Sequence, residues 1–125
     1  MLRKLSALLS APLLLLVLAG CSDPDTTTAE SKIAITQDTV ILDVRTPQEY
    51  DEGHLEGARL LDFNSGEVAA AIPQLDPDSE YLVYCRSGNR SAQAIQLMED
   101  AGFEDVTNLG SLEEAAEATT LPIVN

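Results

Sequence analysis

One short segment holds the residues whose types and spacing could carry out a reaction; it reads Cys85-Arg86-Ser87-Gly88-Asn89-Arg90-Ser91. Cys85 supplies a thiol. Gly88 and Asn89 tolerate the positive φ angles that a tight loop needs, and successive N–H groups in such a loop can form an anion-binding concavity. A helix is predicted to follow, and its N-terminus adds roughly +0.5 of a charge. The segment therefore predicts a nucleophilic sulfur inside an anion-binding loop.

Two arginines, Arg86 and Arg90, belong to this loop. We expect them to lower the pKa of the Cys85 thiol, because thiols beside arginine or at helix N-termini fall from ~8.5 to as low as ~3.5–7.5. The thiolate is the nucleophilic form, and guanidinium groups bind tetrahedral oxyanions well. Cys85 could then attack a thiosulfate-like donor and pass the sulfur on from a persulfide. The alternative is a buried, inert cysteine, which would not need two arginines beside it.

Strands that alternate with helices are predicted to position the loop. Apolar runs over 39–44 and 81–84 are typical of strands buried on both faces, and Cys85 directly follows the second. Shorter strands are predicted at 58–61 and 106–109. Helices are predicted from Pro47 to about 53, and over 67–72, 91–101 and 111–118. This alternation predicts an α/β fold with a parallel sheet and helices on both faces, in which sites form beyond the carboxyl ends of the strands.

The N-terminal residues are predicted to lie outside this domain. Arg3 and Lys4 precede an apolar stretch over 5–18, the pattern of a secretory signal and short for a membrane span, which needs ~20 apolar residues. Small residues then precede Cys21, and this end resembles the lipobox of bacterial lipoproteins. The resemblance implies cleavage before Cys21 and a lipid on its sulfur. An ordinary signal peptide with an incidental cysteine is the alternative.

This pattern predicts a domain organisation and a location. We expect a lipoprotein signal peptide over 1–20, a flexible tether over 21–31, which is rich in Thr, Asp and Ser, and a folded domain over 32–125. The protein would be exported and anchored by lipid to the outer face of a bacterial membrane, in the periplasm or at the cell surface.

Charge and cysteine content exclude several function classes. Removing Arg3 and Lys4 from the seven basic residues leaves five against 21 acidic ones, a net charge of −16. That charge argues against nucleic acid and against electrostatic adhesion to anionic lipid. With Cys21 on lipid, Cys85 has no disulfide partner in the chain. No metal or cofactor is expected, since His54 would be the only other soft ligand.

Two stretches together resemble a known family. The loop from Cys85 to Ser91 is similar to the active-site loop of rhodaneses, single-domain thiosulfate sulfurtransferases. The stretch 41–58 resembles the family's first conserved block, of the form D-V-R-x-x-x-E-(Y/F)-x-x-G-H-I-x-G-A. The resemblance implies a small rhodanese-like fold around a parallel sheet of about five strands. It also implies Cys85 as the persulfide carrier, with substrate-binding residues Arg86, Ser87, Gly88, Asn89 and Arg90.

The residues of the first block are predicted to support the site. Asp43 and Arg45 would pair with each other or brace the loop, and His54 would serve a turn or a cap. The chain departs from the family after its last strand, where many members carry a Gly-Gly pair and a Trp. Here Ser111 replaces the second Gly and no Trp is present. This difference affects which acceptor can bind more than it affects the chemistry of Cys85.

The partners implied are a small sulfur donor and a thiol or cyanide-like acceptor, and the protein is expected to be a monomer.

Two other functions compete with this prediction. Phosphatases with a related fold place five residues between Cys and Arg because phosphate needs a wider ring of N–H groups. Only four residues separate Cys85 from Arg90, so this loop is smaller than a phosphatase loop. Arsenate reductases use loops similar to this one. A non-catalytic rhodanese-like binding or sulfur-sensing module is the second alternative, and such modules typically lack the cysteine.

Overall fold

A computed structural model describes residues 32–125 of the protein. The predicted signal peptide, the lipidation site Cys21 and the predicted tether lie outside the described residues. In chain order the elements are β1 (Thr39–Asp43), α1 (Pro47–Glu52), β2 (His54–Leu55), β3 (Arg59–Leu60), α2 (Glu67–Ala71), a 3₁₀ turn (Ile72–Gln74), β4 (Glu80–Tyr84), α3 (Asn89–Asp100), β5 (Val106–Gly110), α4 (Leu112–Thr119) and β6 (Ile123–Val124).

The central sheet is parallel and its strand order is β3-β1-β4-β5. The predicted α/β fold with a parallel sheet and helices is confirmed. The sheet has four strands within residues 32–125, where the resemblance to rhodaneses implies about five. The short strand β2 pairs instead with β6 in an antiparallel ribbon. It has only two residues, and its Leu55 N–H donates to the Tyr84 side chain, not to the backbone of another strand.

Apolar side chains cover both faces of the sheet, because successive residues of a strand point to opposite faces. One cluster packs under α2 and α3 and includes Leu42, Val83, Cys85, Ala94 and Met98. The other packs under α1 and α4 and includes Ile41, Leu82, Tyr84, Leu109 and Ala115. The continuous apolar runs of β1 and β4 follow from this two-sided burial. Within residues 32–125, every helix falls short of the length and apolarity that a membrane-spanning segment needs.

Capping residues set the helix boundaries near the site. At α1, Thr46 accepts a hydrogen bond from the Glu49 N–H while the Glu49 side chain accepts one from the Thr46 N–H, the reciprocal pattern of a capping box. Helix α3 begins at Asn89, two residues before the predicted start, because Gly88 adopts a left-handed conformation (φ +88°) and serves as its N-cap. Arg90 therefore lies in the first turn of α3.

The described chain begins beside the C-terminal end of α4. The Ile33 N–H donates to the Ala118 carbonyl at 2.9 Å, and Lys32 Nζ donates to the Glu117 carbonyl at 2.8 Å. Helix α4 starts next to the carboxyl end of β5 and runs back along the sheet. The first described residues are thereby held at the end of the sheet where the parallel strands begin.

Candidate functional site

Cys85 lies at the carboxyl end of β4, inside a tight turn that leads into α3. Its N–H donates to the Gly110 carbonyl at 3.0 Å, which ties the start of the turn to the end of β5. The Gly88 N–H donates back to Cys85 Sγ at 3.0 Å. The cysteine has no exposed surface. The turn therefore closes around the sulfur and aims a backbone donor at it.

The pKa of the Cys85 thiol is lowered from its ordinary value. Burial acts against this by favouring the neutral thiol, but hydrogen bonds from the Ser91 side chain and from the N–H groups of Ser91, Ser87 and Gly88 together outweigh it. The direction of this shift agrees with the sequence-based prediction, while its cause differs. Hydrogen bonds at the start of α3, more than the charges of the two arginines, lower the pKa.

Arg90 is held by a carboxylate of α1. Its Nη1 donates to Glu49 Oε2 at 2.8 Å and its Nη2 to Glu49 Oε1 at 3.0 Å. These bonds are the main reason that the pKa of Glu49 falls to about 2, and they raise the pKa of Arg90. The sequence shows Glu49 as a capping residue of α1, whereas the structure adds a second role that ties α1 to the first turn of α3.

Arg86 is exposed at the mouth of the turn and lines a cleft of about 330 Å³. Two apolar side chains and five charged ones line the cleft. The apolar ones are Leu112 and Ile123, and the charged ones are Arg45, Glu49, Glu52, Arg86 and Glu113. Ser87 and Asn89 are also exposed. Of the two loop arginines, Arg86 is the one whose guanidinium faces solvent, since Arg90 lies against Glu49.

The predicted support residues Asp43 and Arg45 form a buried ion pair. Arg45 Nη2 lies 2.6 Å from Asp43 Oδ2, and the same nitrogen donates to the Gly53 carbonyl at 2.6 Å. The Tyr84 hydroxyl donates to Asp43 Oδ2 at 2.8 Å and accepts from the Leu55 N–H at 3.0 Å. The pair therefore joins the carboxyl ends of β1 and β4 to the connection between α1 and β2.

His54 lies in this same connection. Its ring stacks on Tyr50 with the two centroids 3.6 Å apart, and its Nδ1 lies 2.9 Å from the Tyr50 carbonyl oxygen. Both contacts join the end of α1 to β2. The structural role of His54 stays a prediction, which these two contacts support.

Asn108, a side chain of β5 that the sequence does not mark as functional, lies next to the turn. Its Nδ2 donates to the Gly88 carbonyl at 3.0 Å, and its Oδ1 accepts from the Gly110 N–H at 2.9 Å and from the Ser91 hydroxyl at 2.7 Å. The Ser91 oxygen lies 3.5 Å from Cys85 Sγ. An asparagine in a short strand gives no sequence signal for these contacts, because they depend on how β5 pairs with β4.

Among residues 32–125, no three His, Cys, Asp or Glu side chains are arranged to hold a metal ion. The chemistry that the arrangement supports is that of a sulfur nucleophile with backbone donors, beside a cleft that carries an exposed guanidinium.

The family model of the rhodanese-like domain matches residues 27–118. The chain belongs to the rhodanese-like family. This rhodanese-like domain is 40% identical over 80 residues to the thiosulfate sulfurtransferase GlpE of Pseudomonas putida. The aligned region covers 64% of this chain and 71% of that protein. A solved structure described as a rhodanese with anions from E. coli matches it with a TM-score of 0.57 at 29% identity, over 70% of this chain and 98% of that one.

A longer relative matches a shorter part of the chain. The probable adenylyltransferase/sulfurtransferase MoeZ of Mycobacterium tuberculosis is 42% identical over 72 residues, 55% of this chain. The rhodanese-like chain spans only 18% of that protein's length. Sulfur transfer is the activity that these relatives' names share, and their similarity supports a sulfurtransferase.

Proposed function

We propose that this protein transfers a sulfane sulfur from a thiosulfate-like donor to a thiophilic acceptor through a persulfide on Cys85. The observation that carries the proposal is the position of Cys85 Sγ. It lies at the carboxyl end of β4, receives the Gly88 N–H at 3.0 Å and has a lowered pKa. A lowered pKa increases the thiolate fraction at neutral pH, and the thiolate is the form that attacks sulfur.

The first step loads the sulfur. The Cys85 thiolate attacks the outer sulfur of the donor, a new S–S bond forms as the donor's own S–S bond breaks, and sulfite leaves with that electron pair. Cys85 has no exposed surface, so this step requires the turn to open enough for the donor to reach Sγ. In the second step a nucleophile such as cyanide or a thiolate attacks the terminal sulfur, and Cys85 leaves as the thiolate.

The two loop arginines have different parts in this scheme. Arg86 is exposed beside the cleft and is free to bind the sulfonate end of the donor. Arg90 uses two nitrogens on Glu49, so its main part is to hold the start of α3 against α1. The N–H groups of Ser87 and Gly88 stabilise negative charge at the sulfur.

The experiment is a search for the loaded cysteine. The purified protein is incubated with thiosulfate, the excess is removed, and the intact mass is measured before and after addition of cyanide. One added sulfur, lost again as thiocyanate, is expected for the wild type and for the control Thr107→Ala, an exposed substitution on β5. Cys85→Ser should gain no sulfur. Equal loading of Cys85→Ser and wild type would remove Cys85 from the mechanism.

Parallel assays separate the alternative functions. Release of phosphate from an aryl phosphate, without sulfur loading, would favour a phosphatase. Absence of both reactions would leave a binding or sulfur-sensing module. The loop itself favours sulfur, because only four residues separate Cys85 from Arg90 and the loop is smaller than the five-residue one that phosphate needs.

We also propose export and lipid anchoring through Cys21, on the basis of the basic, apolar and small-residue pattern that precedes it. The mass of the mature N-terminus tests this proposal, since a chain that starts at an acylated Cys21 is expected. An unmodified Cys21 or a different start would contradict it. The proposed partners are a small sulfur donor and a small nucleophilic acceptor, and we propose that the domain acts on them as a monomer.

A further inference from the structure

The amide of Asn108 has its orientation determined from two sides. Its oxygen accepts from the Gly110 N–H at 2.9 Å, and its nitrogen donates to the Gly88 carbonyl at 3.0 Å. A rotation of the amide by half a turn would place a donor against a donor and an acceptor against an acceptor. The acceptor Oδ1 is therefore the atom that faces Ser91, 2.7 Å away.

A bulge in β5 brings Asn108 to this place. Asn108 pairs with Val83, and the next pair joins Tyr84 to Gly110, so Leu109 is an extra residue without a partner on β4. A bulge increases the local twist and changes the direction of the side chains beside it. It also brings Gly110 beside Gly88, where a Cβ added to Gly88 would lie 3.3 Å from the Gly110 Cα.

Ser91 has one hydroxyl proton and two neighbours that can accept it. One is Asn108 Oδ1 at 2.7 Å and the other is Cys85 Sγ at 3.5 Å. While the proton points to Asn108, the Ser91 oxygen presents lone pairs to the sulfur, which suits a protonated thiol. A thiolate gains the Ser91 donor only if the hydroxyl turns away from Asn108.

We propose that Asn108 is a positioning residue for the sulfur chemistry, which competes with Cys85 for the Ser91 hydroxyl proton. The proposal rests on the proposed function, since the unloaded thiolate is the state in which Sγ carries the charge. In the persulfide the charge lies on the terminal sulfur, Sγ makes a weaker acceptor, and the hydroxyl returns to Asn108. The direction of the Ser91 hydroxyl thus alternates between the two half-reactions.

The charged and titratable groups around the turn act on Cys85 as well, and they are the same in every variant of the test. They come from each element that packs near it: Arg86 of the turn, Arg90 of α3, Glu49 of α1, Asp43 and Arg45 at the end of β1, Tyr84 of β4, and Glu114 of α4, which lies against Gly110. Asn108 carries no charge, so replacing it by a neutral residue leaves their contribution in place.

The test is a titration of the Cys85 thiol, followed by thiolate absorbance and by the pH dependence of alkylation. Asn108→Ala removes the competing acceptor, so the Ser91 hydroxyl no longer gives up a hydrogen bond to Asn108 when it turns to the thiolate. The pKa of Cys85 should therefore fall by about 0.5–1 pH unit, the size of one such hydrogen bond. Thr107→Ala, at the exposed neighbouring residue of the same strand, should leave the pKa unchanged. Asn108→Ser provides a second truncation with the same expected result.

A double-mutant cycle with Ser91→Ala separates this role from simple bracing of the loop. Ser91→Ala alone should raise the pKa of Cys85, because the thiolate loses a donor. In that background Asn108→Ala should have no further effect. A change of equal size with and without Ser91, or no change in either, would overturn the proposal. The titration needs no sulfur donor, so its result is independent of whether Cys85 forms a persulfide.

Discussion

The ion pair between Glu49 and Arg90 makes a prediction that needs no knowledge of the substrate. Glu49→Gln removes the charge while keeping the capping box, because glutamine can accept the Thr46 N–H as glutamate does. The variant therefore isolates the contact between α1 and α3. Its effect on stability should depend on pH in a way that the pKa of Glu49 dictates.

The magnitude follows from that pKa. A fall from 4.5 to about 2 corresponds to about 3 kcal/mol of stability at neutral pH, at about 1.4 kcal/mol per pH unit. The Glu49 side chain is 20% exposed, and screening by solvent reduces this to about 1–2 kcal/mol. Because the pKa is lower in the folded state, the contribution is complete above about pH 5 and is lost as pH falls toward 2.

Urea unfolding of wild type and Glu49→Gln, at several pH values between 3 and 7, measures this difference. We expect the variant to be less stable by about 1–2 kcal/mol at pH 7, and the gap to shrink to less than half by pH 3. Glu52→Gln, an exposed residue of the same helix, removes the same charge and should show little effect. A gap between wild type and Glu49→Gln that is independent of pH would refute the reasoning.

Four further substitutions test the turn and its support. Arg86→Ala should raise the KM for thiosulfate several-fold and leave the free energy of unfolding unchanged. Arg90→Ala should lower the free energy of unfolding by about 1–2 kcal/mol. Steady-state kinetics and urea unfolding separate the two effects. Gly88→Ala should cost about 1–2 kcal/mol, because φ is +88° there, and a melting temperature equal to wild type would contradict this. Tyr84→Phe should destabilise by about 1–3 kcal/mol, because the buried Leu55 N–H loses its acceptor; unchanged urea unfolding would show that the N–H finds another.

Local rules predicted the elements that carry the site. The apolar runs of β1 and β4, the capping box at Thr46 and the serine cap of α4 depend on near neighbours in sequence, and each element was predicted within a few residues of its observed bounds. The start of α3 was predicted too late because Gly88, which lacks a capping side chain, terminates the turn through its left-handed backbone.

Contacts between distant residues could not be predicted in the same way. The bond from Arg90 to Glu49 spans 41 positions, and the contact of Asn108 with Ser91 depends on a bulge that leaves no mark in the sequence. The same limit affected the electrostatics of Cys85. Basic residues are visible in a sequence, whereas the direction of the Ser87 and Gly88 N–H groups is visible only in the folded turn.

The point where the described chain begins has a consequence for how the sulfur meets its reaction partners. The Ile33 N–H is bonded to the C-terminal end of α4. The eight residues of that helix separate this point from the carboxyl ends of the strands by about 12 Å. Cys85 lies at that opposite end. Residues before Lys32 therefore join the domain on the side away from Cys85, so an attachment made through them leaves the mouth of the turn uncovered for molecules that arrive by diffusion.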